Sequence, residues 1–94
     1  MSKKKIQLTP DLDVDALLKT MESKYSNDNA VEKITTIDGV KIDFSNTWVH
    51  LRKSNTEPII RIYTEAPSQE EADNLADRII GEIMEEAKIG YGKF

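Results

Sequence analysis

The residues best equipped for chemistry lie in one stretch, Arg52-Lys53-Ser54-Asn55-Thr56-Glu57-Pro58, with Arg61 shortly after it. A tight turn of small polar residues can aim several backbone amides into one concavity, and the hydroxyls of Ser54 and Thr56 and the amide of Asn55 add neutral donors. Asparagine also tolerates the left-handed backbone that such a turn often needs. Arg52 enters the turn and Arg61 follows in the next apolar run. A hairpin can therefore bring two planar guanidinium forks onto one phosphate, an anion that arginine grips with paired hydrogen bonds. Whether the two arginines share a face depends on the strand register. Ser, Asn, Thr and Pro are also what an ordinary inter-strand turn contains, so the residue pattern alone fits both a plain turn and an anion-binding nest.

The neighbours of this stretch carry weaker signals. Glu57 would repel a phosphate at close range, and its better reading is to orient Arg52 or accept loop amides. His50, the only histidine, precedes Arg52 by two positions and so shares its strand face; with no second ligand nearby it reads as a surface or interdomain residue. Trp48 lies on the same face and reads as a packing residue. Asp11, Asp13 and Asp15 alternate like the start of a calcium loop, but neither the glycine nor the distal glutamate follows at the required spacing. A solvated helix start, where negative charge favours the dipole, accounts for them, and no metal ligands are expected in this chain.

The elements that must position the stretch are legible from periodicity. Ile6-Gln7-Leu8 alternates as a short strand that Thr9-Pro10-Asp11 breaks. Asp11 or Asp13 can cap a helix whose Val14, Leu17, Leu18, Met21 and Tyr25 fall on one face and which ends near Tyr25. Val31 to Ile37 is rich in β-branched residues, Asp38-Gly39 is a hairpin dipeptide, and Val40 to Phe44 alternates apolar with charged. Trp48–Lys53 and Ile59–Ala66 make two more strands around the polar turn. Ser68-Gln69-Glu70-Glu71 is a capping box, opening a long helix with an apolar stripe of Ala72, Leu75, Ala76, Ile79, Ile80, Ile83, Met84 and Ala87, and Gly90-Tyr91-Gly92 reads as its stop. The order β-α-β-β-β-β-α predicts an α+β two-layer sandwich, an antiparallel sheet of about four to five strands with both helices on one face and the other face open.

Composition narrows the function classes. The 94 residues suffice for one small domain. A 38% hydrophobic and 32% charged chain is expected to fold. A net charge of −4 supplies no global field for a polyanion, so no nucleic-acid partner is expected. The one basic cluster, Lys3-Lys4-Lys5, reads as a solvated terminus or the entry to an edge strand, where lysines discourage edge-to-edge pairing. Cysteine is absent, which removes disulfides, thiolate zinc sites and thiol nucleophiles and suits a cytoplasmic protein. No apolar run approaches the roughly 20 residues that cross a bilayer, so no membrane partner is expected either.

From Asp38 to Ala66, the runs Asp-Gly-Val-Lys-Ile-Asp-Phe, Trp-Val-His-Leu-Arg-Lys-Ser-Asn-Thr-Glu-Pro and Ile-Ile-Arg-Ile-Tyr-Thr-Glu-Ala resemble the C-terminal domain of α-D-phosphohexomutases, the phosphoglucomutase/phosphomannomutase family. The similarity continues into the acidic, alanine-containing helix start from Ser68 to Ile83, whereas the first strand and helix agree only in layout. In that family the loop reads Arg-x-Ser-Gly-Thr-Glu-Pro and binds the phosphate that is not being transferred. Arg52, Ser54 and Thr56 match it directly; Asn55 stands where glycine is commonest, keeping left-handed access and adding a donor. Arg61 matches the arginine of the following strand.

The resemblance implies a TATA-binding-protein-like fold and a role as the C-terminal phosphate-binding domain of a larger, four-domain mutase that interconverts hexose 1-phosphate and hexose 6-phosphate. Its phosphoserine, its Mg-binding Asp-Gly-Asp-x-Asp-Arg loop and its sugar-recognition loop would lie on the preceding domains, which would be this chain's partners together with the hexose phosphate. Chain 1–94 is thus expected to be an excised domain, inactive as a mutase when isolated, with catalytic residues and metal elsewhere. The competing class is a stand-alone adaptor that uses the open sheet face as an interface.

Overall fold

Alternation and capping explain each element of the computed structural model, which describes residues 1–8, 13–54 and 57–91, with side chains through Ala87. Strand β1 spans Ser2–Gln7, helix α1 Val14–Ser26, β2 Lys33–Thr35, β3 Val40–Asp43, β4 Trp48–Lys53, β5 Ile59–Glu65 and helix α2 Gln69–Tyr91. The predicted order is the observed one. Asp13, not Asp11, caps α1, its carboxylate accepting from the Ala16 amide at 3.0 Å; Asp11, with Thr9 and Pro10, lies outside the described residues. Ser68 caps α2 by accepting from the Glu71 amide at 3.1 Å.

The five strands form one antiparallel sheet in the order β1-β5-β4-β3-β2. Strands β2 to β5 are a meander of successive hairpins, while β1 is carried by α1 to the opposite edge, beside β5. Both helices cover one face, α1 over β3 and β4, α2 over β1 and β5. The core lies between them: Val40, Ile42, Val49, Leu51, Ile60 and Ile62 from the sheet meet Leu17, Leu18, Met21, Ala76, Ile79 and Ile83 from the helices. Thr64, buried on the same face, donates its hydroxyl to the Ala72 carbonyl at 2.7 Å, satisfying the group that burial would otherwise leave without water. Tyr25 bridges the helices, its hydroxyl donating to the Glu82 carboxylate, which Arg78 also reaches at 3.2 Å.

Three expectations are corrected. The second strand is shorter than Val31–Ile37: Ile37 is 94% exposed and falls in a turn, because the chain must swing out to reach Asp38-Gly39. Met84 is 50% exposed, at the margin of the α2 stripe, because the sheet reaches only part of that helix's circumference. Helix α2 does not stop at Gly90 but continues to Tyr91; a single glycine costs a helix only about 1 kcal/mol, which permits it.

Candidate functional site

The polar turn joins β4 to β5 at one end of the sheet. The hairpin pairs Lys53 with Ile60 as its last strand residues, and the Ser54 amide then donates to the Ile59 carbonyl at 3.2 Å, closing the mouth of the loop. Within the loop, the Ile59 amide donates to the Glu57 carbonyl at 2.8 Å. The loop's exit is tied to the chain just beyond the neighbouring edge strand β1, since the Leu8 amide donates to the Pro58 carbonyl at 2.7 Å. On the helix side Lys53 meets Asp15 of α1 at 2.9 Å. Two ties from different elements therefore hold the base of the loop. Asn55 and Thr56, two of the residues read as phosphate ligands, lie outside the described residues.

The register answers what the sequence left open. Arg52 and Arg61 are directly opposite one another across β4 and β5, and Lys5 is opposite Arg61 on its other side in β1. All three are exposed on the face away from the helices. Directly opposed Cβ atoms in an antiparallel pair are about 4.5–5.5 Å apart, and like charges so placed are destabilising. A row of three cations beside the loop mouth is thus an arrangement that an anion would relieve. Among the described residues neither Arg61 nor Lys5 has a side-chain hydrogen bond or ion pair.

Arg52 does have a partner, and it is Asp38. The Asp38 carboxylate lies 3.1 Å from a terminal nitrogen of the guanidinium. Asp38 sits in the β2–β3 turn, which is pressed against β4: Gly39 has φ +72°, and a Cβ there would lie 2.1 Å from the Leu51 carbonyl oxygen and 3.2 Å from the Arg52 Cα. Only glycine fits both the backbone angle and the gap. A ring nitrogen of His50 hydrogen-bonds the Asp38 carbonyl, holding the same turn from the open face. The carboxylate beside Arg52 is therefore supplied by the β2–β3 turn rather than by Glu57, whose side chain has no partner among the described residues. The Asp38-Gly39 pair was legible as a turn, but nothing local revealed its contact with Arg52.

Beyond the cation row the open face continues as Lys3, Tyr63, His50, Lys41 and Thr35, opposite one another across all five strands. His50 and Tyr63 rings lie 6.4 Å apart, and Lys41 covers the Trp48 ring at 4.9 Å. Among the described residues no group of three or more His, Cys, Asp or Glu could hold a metal ion, and no helix is long and apolar enough to cross a membrane.

Comparison with known proteins places this fold and loop in a family. Residues 4–82 match the model of the phosphoglucomutase/phosphomannomutase C-terminal domain. The chain is 43% identical over 77 residues to the phosphoglucosamine/phosphogalactosamine mutase of Sulfurisphaera tokodaii, covering 82% of this chain and 16% of that protein. It is 50% identical over 58 residues to the phosphoglucomutase/phosphomannomutase of Thermococcus kodakarensis, covering 62% of this chain and 12% of the relative. With the phosphomannomutase/phosphoglucomutase of Pseudomonas putida it shares 35% identity over 77 residues, 73% of this chain and 16% of the relative. The chain thus spans a small part of the length of the relatives it matches. With the matched region running from within β1 well into α2, and so taking in strands β2 to β5 and the loop between its arginines, the chain belongs to the phosphoglucomutase/phosphomannomutase C-terminal domain family.

Proposed function

We propose that this chain is the substrate-phosphate-binding domain of a phosphohexomutase, clamping the phosphate of a hexose phosphate that is not being transferred. The observation that carries the reading is the direct opposition of Arg52 and Arg61 at the loop mouth. Two guanidinium groups on directly opposed residues of adjacent strands can reach one phosphate, whose oxygens a planar fork of N–H donors matches better than separate point charges do. Ser54, at the loop's start, and Asn55 and Thr56, within it, add the neutral donors that the family motif implies.

The clamp acts by position and electrostatics: fixing one end of the sugar phosphate sets the distance of the other end from the reacting groups. Those groups, including the phosphoserine and any Mg, belong in this reading to the rest of the parent enzyme, and the isolated domain is inactive as a mutase. Cytoplasmic sugar-phosphate metabolism is the setting that follows. Sugar specificity, among glucose, mannose and glucosamine phosphates, rests with the parent's other domains.

The test is an NMR titration of the labelled chain with glucose 1-phosphate, glucose 6-phosphate and inorganic phosphate at low salt. Saturable shifts clustered at Arg52, Ser54, Asn55, Thr56 and Arg61, abolished by Arg52→Ala with the rest of the spectrum preserved, are expected. Shifts scattered over the surface, or a response untouched by Arg52→Ala, would overturn the clamp and favour an adaptor role for the open face.

A further inference from the structure

The Lys3-Lys4-Lys5 run looks uniform in sequence, but the sheet assigns its members to different surroundings. Lys4 points to the helix side, where its ammonium meets Asp77 at 2.7 Å, a hydrogen bond that raises its pKa. Lys3 and Lys5 are exposed on the open face. Lys3 stands opposite Tyr63, and Lys5 stands opposite Arg61, in line with Arg52. Solubility of an edge strand explains lysines on β1 in general, and Lys3 alone would serve that end. It does not explain a third cation set directly beside two arginines, where each added positive charge is unfavourable unless an anion joins them.

Neighbouring strands are about 4.8 Å apart, so the row from Lys5 to Arg52 spans roughly 10 Å. A lysine stem bridges the gap to its neighbour's head group easily. The strand that carries Lys5 is also tied to the loop, because the Leu8 amide, just beyond β1, donates to the Pro58 carbonyl. Register and tie together keep Lys5 at the loop end of the sheet. At the other end of the row the Asp38 carboxylate partly balances Arg52, which leaves the Lys5–Arg61 side as the more positive half.

We propose that Lys5 is a third cationic ligand of the phosphate site, closing it on the β1 side. The inference rests on the phosphate reading of the arginine row. Its role differs from theirs: the arginines orient the phosphate oxygens through fixed forks, whereas the ammonium is a mobile point charge that draws and holds the dianion without setting its orientation.

Inorganic phosphate is titrated into the labelled chain and into its Lys5→Gln, Lys3→Gln and Arg61→Gln variants at low salt, with the spectra away from the substituted residue checking the fold. Lys5→Gln is expected to weaken binding about twofold to fivefold, the range of an exposed charge pair, and Lys3→Gln to leave it nearly unchanged. Arg61→Gln should weaken it more than either. If Arg61→Gln weakens binding while Lys5→Gln and Lys3→Gln behave alike, the Lys5 role is overturned and the phosphate reading stands. If phosphate gives no saturable shift in the unsubstituted chain, the reading and the Lys5 role fall together.

Discussion

Leu51 and Arg52 are adjacent in β4, yet Leu51 is fully buried beneath the helices and Arg52 stands exposed on the opposite face. The same alternation in β5 separates Arg61 from Ile60 and Ile62, both fully buried. One face of this sheet is apolar and closed by α1 and α2; the other carries Lys5, Arg61, Arg52, His50, Lys41 and Lys3. Because successive side chains of a strand point to opposite faces, the two faces can answer to separate demands. On the covered face shape and volume decide, and on the open face the placement of charge decides. A row of cations can thus sit on strands whose alternate residues are committed to the core.

The sharpest break would come from the covered face. Ile79 is fully buried in α2 against the sheet, so Ile79→Ala should cost about 2–5 kcal/mol in urea unfolding. The division of labour requires that the open-face resonances of Arg52 and Arg61 hardly move in that variant. Gly39→Ala probes the place where the faces meet through the backbone. Its positive φ and the 2.1 Å approach to the Leu51 carbonyl both resist a side chain, so a loss of roughly 1–3 kcal/mol is expected. The Asp38–Arg52 ion pair should loosen with it, read as a shift of the Arg52 side-chain resonances.

Tyr25 sharpens the covered side further. It is 2% exposed, and burial first, then its hydrogen bond to Glu82, pushes its phenol pKa up from the ordinary 10.0. The unfolded chain therefore loses this proton at lower pH than the folded one. The contribution is fully present below pH 10.0 and is lost as pH rises above it. Tyr25→Phe should cost about 1 kcal/mol at neutral pH and flatten that part of the alkaline decline, followed by unfolding at several pH values. The smallest effect belongs to the open face. Arg61→Gln should change stability by no more than about 0.5 kcal/mol, with any change toward greater stability, because it removes a like charge opposite both Lys5 and Arg52. A loss above about 1 kcal/mol would show that the cation row serves the fold as well.

Residues that act through their immediate neighbours were readable. The spacing of Leu17, Leu18, Met21 and Tyr25 placed α1, and the β-branched run from Ile59 placed β5, because a stripe or an alternation is a property of one segment. Boundaries were weaker where tertiary geometry overrode propensity: Ile37 has a strand-forming side chain but lies beyond the reach of β3's pairing. In the candidate site, Arg52, Ser54 and Arg61 were proposed from residue type and motif. Asp38 was not, because its carboxylate reaches Arg52 only through the close packing of Gly39 on β4.

The amino-acid sequence carried the order and kind of the elements, the apolar stripes of the two helices and, through its loop motif, the family. It did so because side-chain periodicity and turn chemistry are local. Folding alone sets β1 beside β5 rather than beside β2, Arg52 opposite Arg61, and one lysine of three in their row. Strand pairing is set by long-range burial and register, and a shift of one residue would send every second side chain to the other face.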